Sequence, residues 1–208
     1  YDKQVFYKTE MTRDVLGKIG NLRDYELFDT LGAENPYNYR NKIIEPFSKV
    51  NGQIITGFFK KKSHEVFEAN ENWLQDKEME EILKYLKIEL NSSKNLTVYD
   101  EKSHKGLLRH IMLRKNSKNE FMFVLVINGK LNDNLKRLIF KITDKFESIK
   151  SAYISINNQK TNVALGKENI LIFGEKYLKE DLFDIHFNIS PSSFSAFFGY
   201  GNLLYELN

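Results

Sequence analysis

The spacing of apolar positions changes period several times along this chain, and each change predicts a new element. Residues 39–62 alternate as a two-strand hairpin, YRNKIIEPFSKV running up to Asn51-Gly52 and QIITGFFKKK returning. Asn-Gly tolerates the positive φ angles of a tight type I′ turn. Residues 76–90 switch to helical spacing, with Met79, Ile82, Leu83, Leu86 and Leu90 on one face and Asp76 placed as the cap. GLLRHIMLRKN and EFMFVLVINGK then read as a second strand pair joined by a short polar loop. Leu131, Leu135, Leu138, Ile139, Ile142, Phe146 and Ile149 hold the helical period for about five turns. AYISINN predicts another strand, followed by the loop QKTN, the segment VALGKENILIFG and one last strand within YLKEDLFDIHFNIS.

Ahead of these elements, residues 2–20 read as a polar helix ended by Gly20-Asn21. Its apolar face, Val5, Thr12, Leu16 and Ile19, is too thin to hold a helix unaided, so this helix must dock on something. The order of elements predicts an α+β fold, a mixed or antiparallel sheet packed by two amphipathic helices and preceded by the docking helix. Soft boundaries fall near Gly32–Tyr39 and near Ser190. The final stretch, NISPSSFSAFFGYGNLLYELN, looks like the opening of a further domain. The chain also begins without Met, which suggests that something ahead of Tyr1 has been removed.

Composition narrows the chemistry. The 208 residues are 41% hydrophobic and 28% charged, with a net charge of +3, the profile of a globular protein. No apolar run approaches the ~18 residues of a membrane span. There is no cysteine, which removes disulfides, thiolate metal sites and any cysteine nucleophile from this chain and fits a reducing cytoplasm.

Cations cluster in two places. The hairpin carries Arg40, Lys42, Lys49 and Lys60-Lys61-Lys62 with His64, and residues 98–118 carry Lys102, Lys105, Arg109, Arg114, Lys115 and Lys118 with His104 and His110. Tyr39, Phe58, Phe59 and Tyr99 are interleaved. Basic residues among aromatics on a sheet suit RNA, since cations neutralise phosphate and rings stack on splayed bases. The same lysines also suit plain protection of strand edges. The four histidines lack ligand spacing, so no metal site is expected. His110 reads as a partly buried, hydrogen-bonded imidazole in a strand. Glu80-Glu81 and Glu180-Asp181 look solvent-facing, and Gly199-Tyr200-Gly201 follows no predicted parallel strand.

Several short blocks stand in a telling order. They are Tyr39-Arg40-Asn41-Lys42, Gly57-Phe58-Phe59 with Ser63-His64, Leu108-Arg109-His110, Ser155-Ile156-Asn157-Asn158, Thr161-Asn162-Val163 with Leu165-Gly166, and Ile189-Ser190-Pro191 with Ser193-Phe194. Together they resemble the middle of the bacterial RNA uracil-C5 methyltransferases, which make 5-methyluridine in ribosomal or transfer RNA. The resemblance implies that residues 1–33 are a helix packing on the methyltransferase domain and 34–188 the central α+β domain. Residues 189–208 would be the start of a Rossmann-like domain that binds S-adenosylmethionine.

The family chemistry adds a thiolate to C6 of uracil, and the resulting enolate attacks the methyl group. Without cysteine this chain cannot supply that thiolate, so no catalytic residue is expected within it. The expected function is RNA positioning, on ribosomal more than transfer RNA, in the cytoplasm and without a membrane. Arg40, Lys42, Lys60 and Arg109 are the expected phosphate contacts, and Phe194 the expected contact to the target base. The family turn continues Ser-Phe-Phe-Gln where this chain has Ser193-Phe194-Ser195-Ala196, and Tyr205 matches a family Tyr only across a one-residue gap. Many members hold an iron–sulfur cluster with a cysteine where Asn72 stands, so no cluster is expected here. The competing readings are a non-enzymatic RNA-binding or protein-interaction module derived from the family, and a structural domain whose lysines only solvate its surface.

Overall fold

Asn51 and Gly52 adopt φ of 50° and 83°, so the tight turn forms where the sequence places it. The computed structural model describes residues 1–69, 72–93, 96–182 and 184–193. In chain order its elements are α1 (Asp2–Asp14), β1 (Lys42–Val50), β2 (Gln53–Thr56), β3 (Phe58–Phe59), β4 (Val66–Phe67), α2 (Lys77–Ser92), β5 (Leu108–Lys115), β6 (Phe121–Ile127), α3 (Asp133–Lys145), β7 (Ile149–Ile156), β8 (Glu168–Gly174), β9 (Leu178–Leu182) and β10 (Ile185–Ile189). The fold is α+β. Six strands form one sheet in the order β2-β1-β5-β6-β7-β8. The β6–β7 pair is parallel and the other pairs are antiparallel, because α3 carries the chain back across the sheet between those two strands.

One sheet face packs against α2 and α3. Met79, Ile82, Leu83, Leu86 and Leu90 of α2 and Leu135, Leu138, Ile139 and Ile142 of α3 join Ile111, Leu113, Phe121, Phe123, Leu125 and Ile154 in a single core. Asp76 caps α2 as its sequence position suggests, accepting from the backbone N–H of Glu78 and Met79. The opposite face is covered by β9 and β10, with Leu178 and Ile189 over Met112, Met122, Val124 and Tyr153.

Three sequence expectations need correction. The return strand of the first hairpin stops at Thr56, and Lys60–Lys62 lie in the turn between β3 and β4, where Lys62 takes φ of 59°. α3 ends at Lys145 rather than running to Ile149. Its apolar period runs on in the sequence because Phe146 and Ile149 reach the same core from the connection and from the start of β7. Residues 178–189 form an antiparallel hairpin, not one strand.

The N-terminal helix forms, and a π-helical turn at Val15–Ile19 prolongs it. Thr9 is its buried residue. Thr9 Oγ1 donates to Thr30 Oγ1 and accepts from the Thr30 backbone N–H, while Tyr1 Oη accepts from the Ala33 backbone N–H. Phe6, Tyr7, Met11 and Ile19 are exposed along it. Among the described residues no helix is long and apolar enough to cross a membrane.

Candidate nucleic-acid interface

β5 supplies the residues that organise both ends of the candidate surface. At its start the register shifts between Leu108 and His110, and this irregularity carries Arg109. Arg109 is not an open cation: its side chain is 1% exposed. Nη1 donates to the carbonyls of Asn157 and Gln159, both at 2.8 Å, and Nη2 donates to that of Thr161 at 3.3 Å. The guanidinium lies 4.2 Å from the centre of the Tyr99 ring, and its Nη2 is 3.8 Å from Glu101 Oε1. A phosphate contact would require breaking these bonds, so Arg109 is assigned to holding the 157–166 loop.

That loop is pinned at further points. Asn157 Nδ2 donates to the carbonyls of Val163 and Ala164, and Ser155 Oγ accepts from the Gly166 backbone N–H. Asn158 Oδ1 accepts from the Gly129 N–H at 2.6 Å. The Asn157, Thr161–Val163 and Gly166 blocks singled out in the sequence are therefore one structural unit joined to Arg109. It leaves the side chains of Gln159, Lys160, Thr161 and Asn162 at the surface.

In front of Arg109 lies a groove of about 630 Å³ between the β3–β4 turn and the 98–105 turn. Lys49, Phe59, His64, Tyr99 and Lys102 contribute to its walls. Tyr99 is buried, and its hydroxyl is 2.8 Å from His104 Nδ1. Lys60 pairs with Glu65 of the groove wall at 2.8 Å. That hydrogen bond holds the Glu65 carboxyl below its ordinary range.

Lys42 faces the other end of the same strands, opposite Arg114 in register. Burial, and then the nearby Arg114 charge, lower its pKa from the ordinary lysine value. Arg114 is buried, and burial likewise lowers its pKa. Its Nη1 donates to the Ser190 carbonyl at 3.2 Å and its Nη2 to the Ser193 carbonyl at 2.6 Å. The Ser190 N–H and hydroxyl both meet Ser193 Oγ, closing the turn. Sequence reasoning counted Arg114 among surface cations. Its place two residues from Met112 puts both on one face of β5, and β9–β10 cover that face.

Arg40 sits half-exposed at the entry to β1, where its backbone N–H donates to the Leu74 carbonyl at 2.9 Å. Arg40 and Lys42 thus stand at the start of β1, whereas β2 turns back to bring Thr56 level with Phe47 and the β3–β4 turn that carries Lys60 lies beside residues 46–49. The four expected phosphate contacts do not converge. Phe194, with Ser195, Ala196 and Tyr205, lies outside the described residues. His110 differs from expectation: its Nδ1 is buried without a hydrogen-bond partner. Asn72, where the family resemblance placed a cysteine, closes a turn instead, its Nδ2 donating to Gln75 Oε1 at 3.0 Å and its Oδ1 accepting from the Leu74 N–H. Among the described residues no three potential ligands cluster to hold a metal ion.

No established family profile matches the chain. Individual proteins do. An uncharacterised RNA methyltransferase of Fusobacterium nucleatum is 54% identical over 195 residues, covering 93% of this chain and 42% of that protein. The chain is a relative of bacterial RNA methyltransferases. A second such relative, from Clostridium tetani, is 38% identical over 195 residues, again 93% of this chain and 42% of its own length. The chain therefore spans well under half of the methyltransferases it matches. Among solved structures, the Pyrococcus abyssi tRNA (uracil-54, C5)-methyltransferase in complex with S-adenosyl-L-homocysteine shares the fold, with a TM-score of 0.69 at 24% identity. The match covers 98% of this chain and 47% of that one. The sequence comparison thus points to RNA methyltransferases, and the structural one to a shared fold.

Proposed function

We propose that this chain is the RNA-positioning central part of an S-adenosylmethionine-dependent RNA uracil-C5 methyltransferase, acting on ribosomal RNA. The observation that carries the reading is the 54% identity to an RNA methyltransferase across 93% of the chain. Residues 1–33 would pack on a methyltransferase domain, 34–188 would form the central domain, and 189–208 would begin the catalytic domain. S-adenosylmethionine would supply the methyl group. The residues present here do not fit its site or the thiolate chemistry, since the sequence holds no cysteine and no glycine-rich nucleotide loop.

What the chain can do is bind and orient. Arg40, Lys42 and Lys60 are proposed phosphate contacts, and the 157–166 loop offers polar side chains on a fixed frame. Arg114 would set the entry to whatever follows Ser193 by holding that turn against the sheet. Binding of single-stranded ribosomal RNA should weaken with salt by a log–log slope of about −0.7 per phosphate contact. The test is fluorescence anisotropy across a salt series, with transfer RNA as competitor. Salt-dependent binding that transfer RNA displaces poorly supports the proposal. Equal competition would remove the ribosomal preference. Absence of salt-dependent binding would leave the lysines as surface charge.

A further inference from the structure

We propose that the groove between the β3–β4 turn and the 98–105 turn seats one unstacked nucleotide of single-stranded RNA, with the base against Phe59 and His64 and the flanking phosphates met by Lys49 and Lys102. The proposal rests on the RNA reading above and adds the place where a base is held.

Phe59 is the first reason. Its neighbour Phe58 turns toward Phe67, ring centres 6.3 Å apart. Phe59 is 42% exposed, opposite Val66, with the His64 ring edge-on at 6.1 Å. An exposed phenylalanine gives up burial energy that an inward side chain would recover. Here it borders a groove of about 630 Å³, within the size range of small-ligand clefts. A π-face of this kind is what an unstacked base requires, and a base within a duplex offers no free face.

Charge is the second reason. Three carboxylates approach the groove, and each is engaged within the protein. Glu65 pairs with Lys60, Asp100 accepts from the Ser103 N–H at 2.7 Å, and Glu101 faces Arg109. Lys49 and Lys102 line the groove and have no carboxylate within ion-pair distance among the described residues. These two lysines stand beside an aromatic wall, the combination used to track a single strand.

The floor is the third reason. Tyr99 lies on the Arg109 guanidinium, which is anchored in turn to the 157–161 carbonyls. A base entering here meets a surface already ordered, so little is lost in organising it.

The test uses the 208-residue chain and a single-stranded ribosomal RNA oligonucleotide carrying 5-bromouridine. Ultraviolet cross-linking with peptide mapping should label residues 59–66 or 99–104. Phe59→Ala should weaken binding about five- to hundredfold with an unchanged salt slope, and Phe59→Trp should restore it. Lys102→Glu should make the slope shallower by about 0.7. Circular dichroism of each variant checks that the fold is kept. RNA that binds but cross-links elsewhere, with Phe59→Ala unaffected, overturns the seat while leaving the RNA reading intact. A chain that binds no RNA at any salt removes both.

Discussion

Asn91 completes the open edge of the sheet at Ile54. Its Oδ1 accepts from the Ile54 backbone N–H at 2.8 Å, and its Nδ2 donates to the Ile54 carbonyl at 2.9 Å. One side chain from α2 thereby makes the pair of bonds that a neighbouring strand would make to β2. An edge otherwise invites pairing with another chain. Asn91→Ala should lower unfolding free energy by about 2 kcal/mol, from two lost hydrogen bonds. It should also raise the tendency to associate, and urea unfolding with light scattering on the same samples would show both effects.

His110 predicts a pH dependence. Burial, and then the adjacent Arg109 charge, depress its pKa from 6.5 to about 4. Unfolding returns the imidazole to its ordinary affinity, so between those values the unfolded chain binds more protons and stability rises with pH. The contribution is lost as pH falls below about 6.5 and is gone below about 4, a change of roughly 3 kcal/mol at most. Carboxylates titrate in the same region, so the difference between wild type and His110→Gln is the quantity to follow. The Gln variant should show a flatter stability profile from pH 7 to pH 4. Parallel profiles would mean that His110 does not carry this slope.

Asp76 performs two tasks that one substitution removes. It caps α2, and its Oδ2 pairs with Lys115 Nζ at 2.6 Å between partly buried side chains. Asp76→Asn retains a capping oxygen and should cost about 1 kcal/mol, whereas Asp76→Ala should cost about 2 kcal/mol. Thermal denaturation of the pair separates the cap from the charge. Equal losses would show that the cap adds nothing beyond the ion pair, and an Asn variant as stable as wild type would show that the ion pair adds nothing.

Gly166 is a steric prediction. A Cβ there would lie 1.8 Å from the Ile156 carbonyl oxygen. Gly166→Ala must move the loop off β7, breaking the bond from its N–H to Ser155 Oγ. A loss of more than about 2 kcal/mol is expected, with protection from hydrogen exchange falling first across 155–166. An alanine variant as stable as wild type would show that the approach is not this tight.

The sequence revealed the sheet and its helical layer because periodicity reports which residues share a face. Met79 through Leu90 and Leu135 through Ile142 needed no tertiary knowledge. Arg109 and Arg114 did. A strand's period says that a residue turns to the second face, not that this face is covered. The cover comes from the 157–166 loop and from β9–β10, far along the chain from either arginine. Phe59 was visible as one aromatic among several. Its separation from Phe58 depended on β3 and β4 pairing with each other rather than extending β2, which the run GFFKKK does not disclose.

The sheet order has a consequence for synthesis. β5 through β8 join in sequence order, each new strand meeting the one before it. β1 and β2 emerge first, yet their partner β5 begins only at Leu108. At about 5–20 residues per second, the intervening stretch takes a few seconds to more than ten seconds to appear. During that interval Ile43, Phe47 and Ile54 belong to a two-stranded ribbon, a unit only marginally stable alone in water. The nascent chain therefore has a period in which chaperone contact would be most useful, and that period closes when the ribosome has delivered β5.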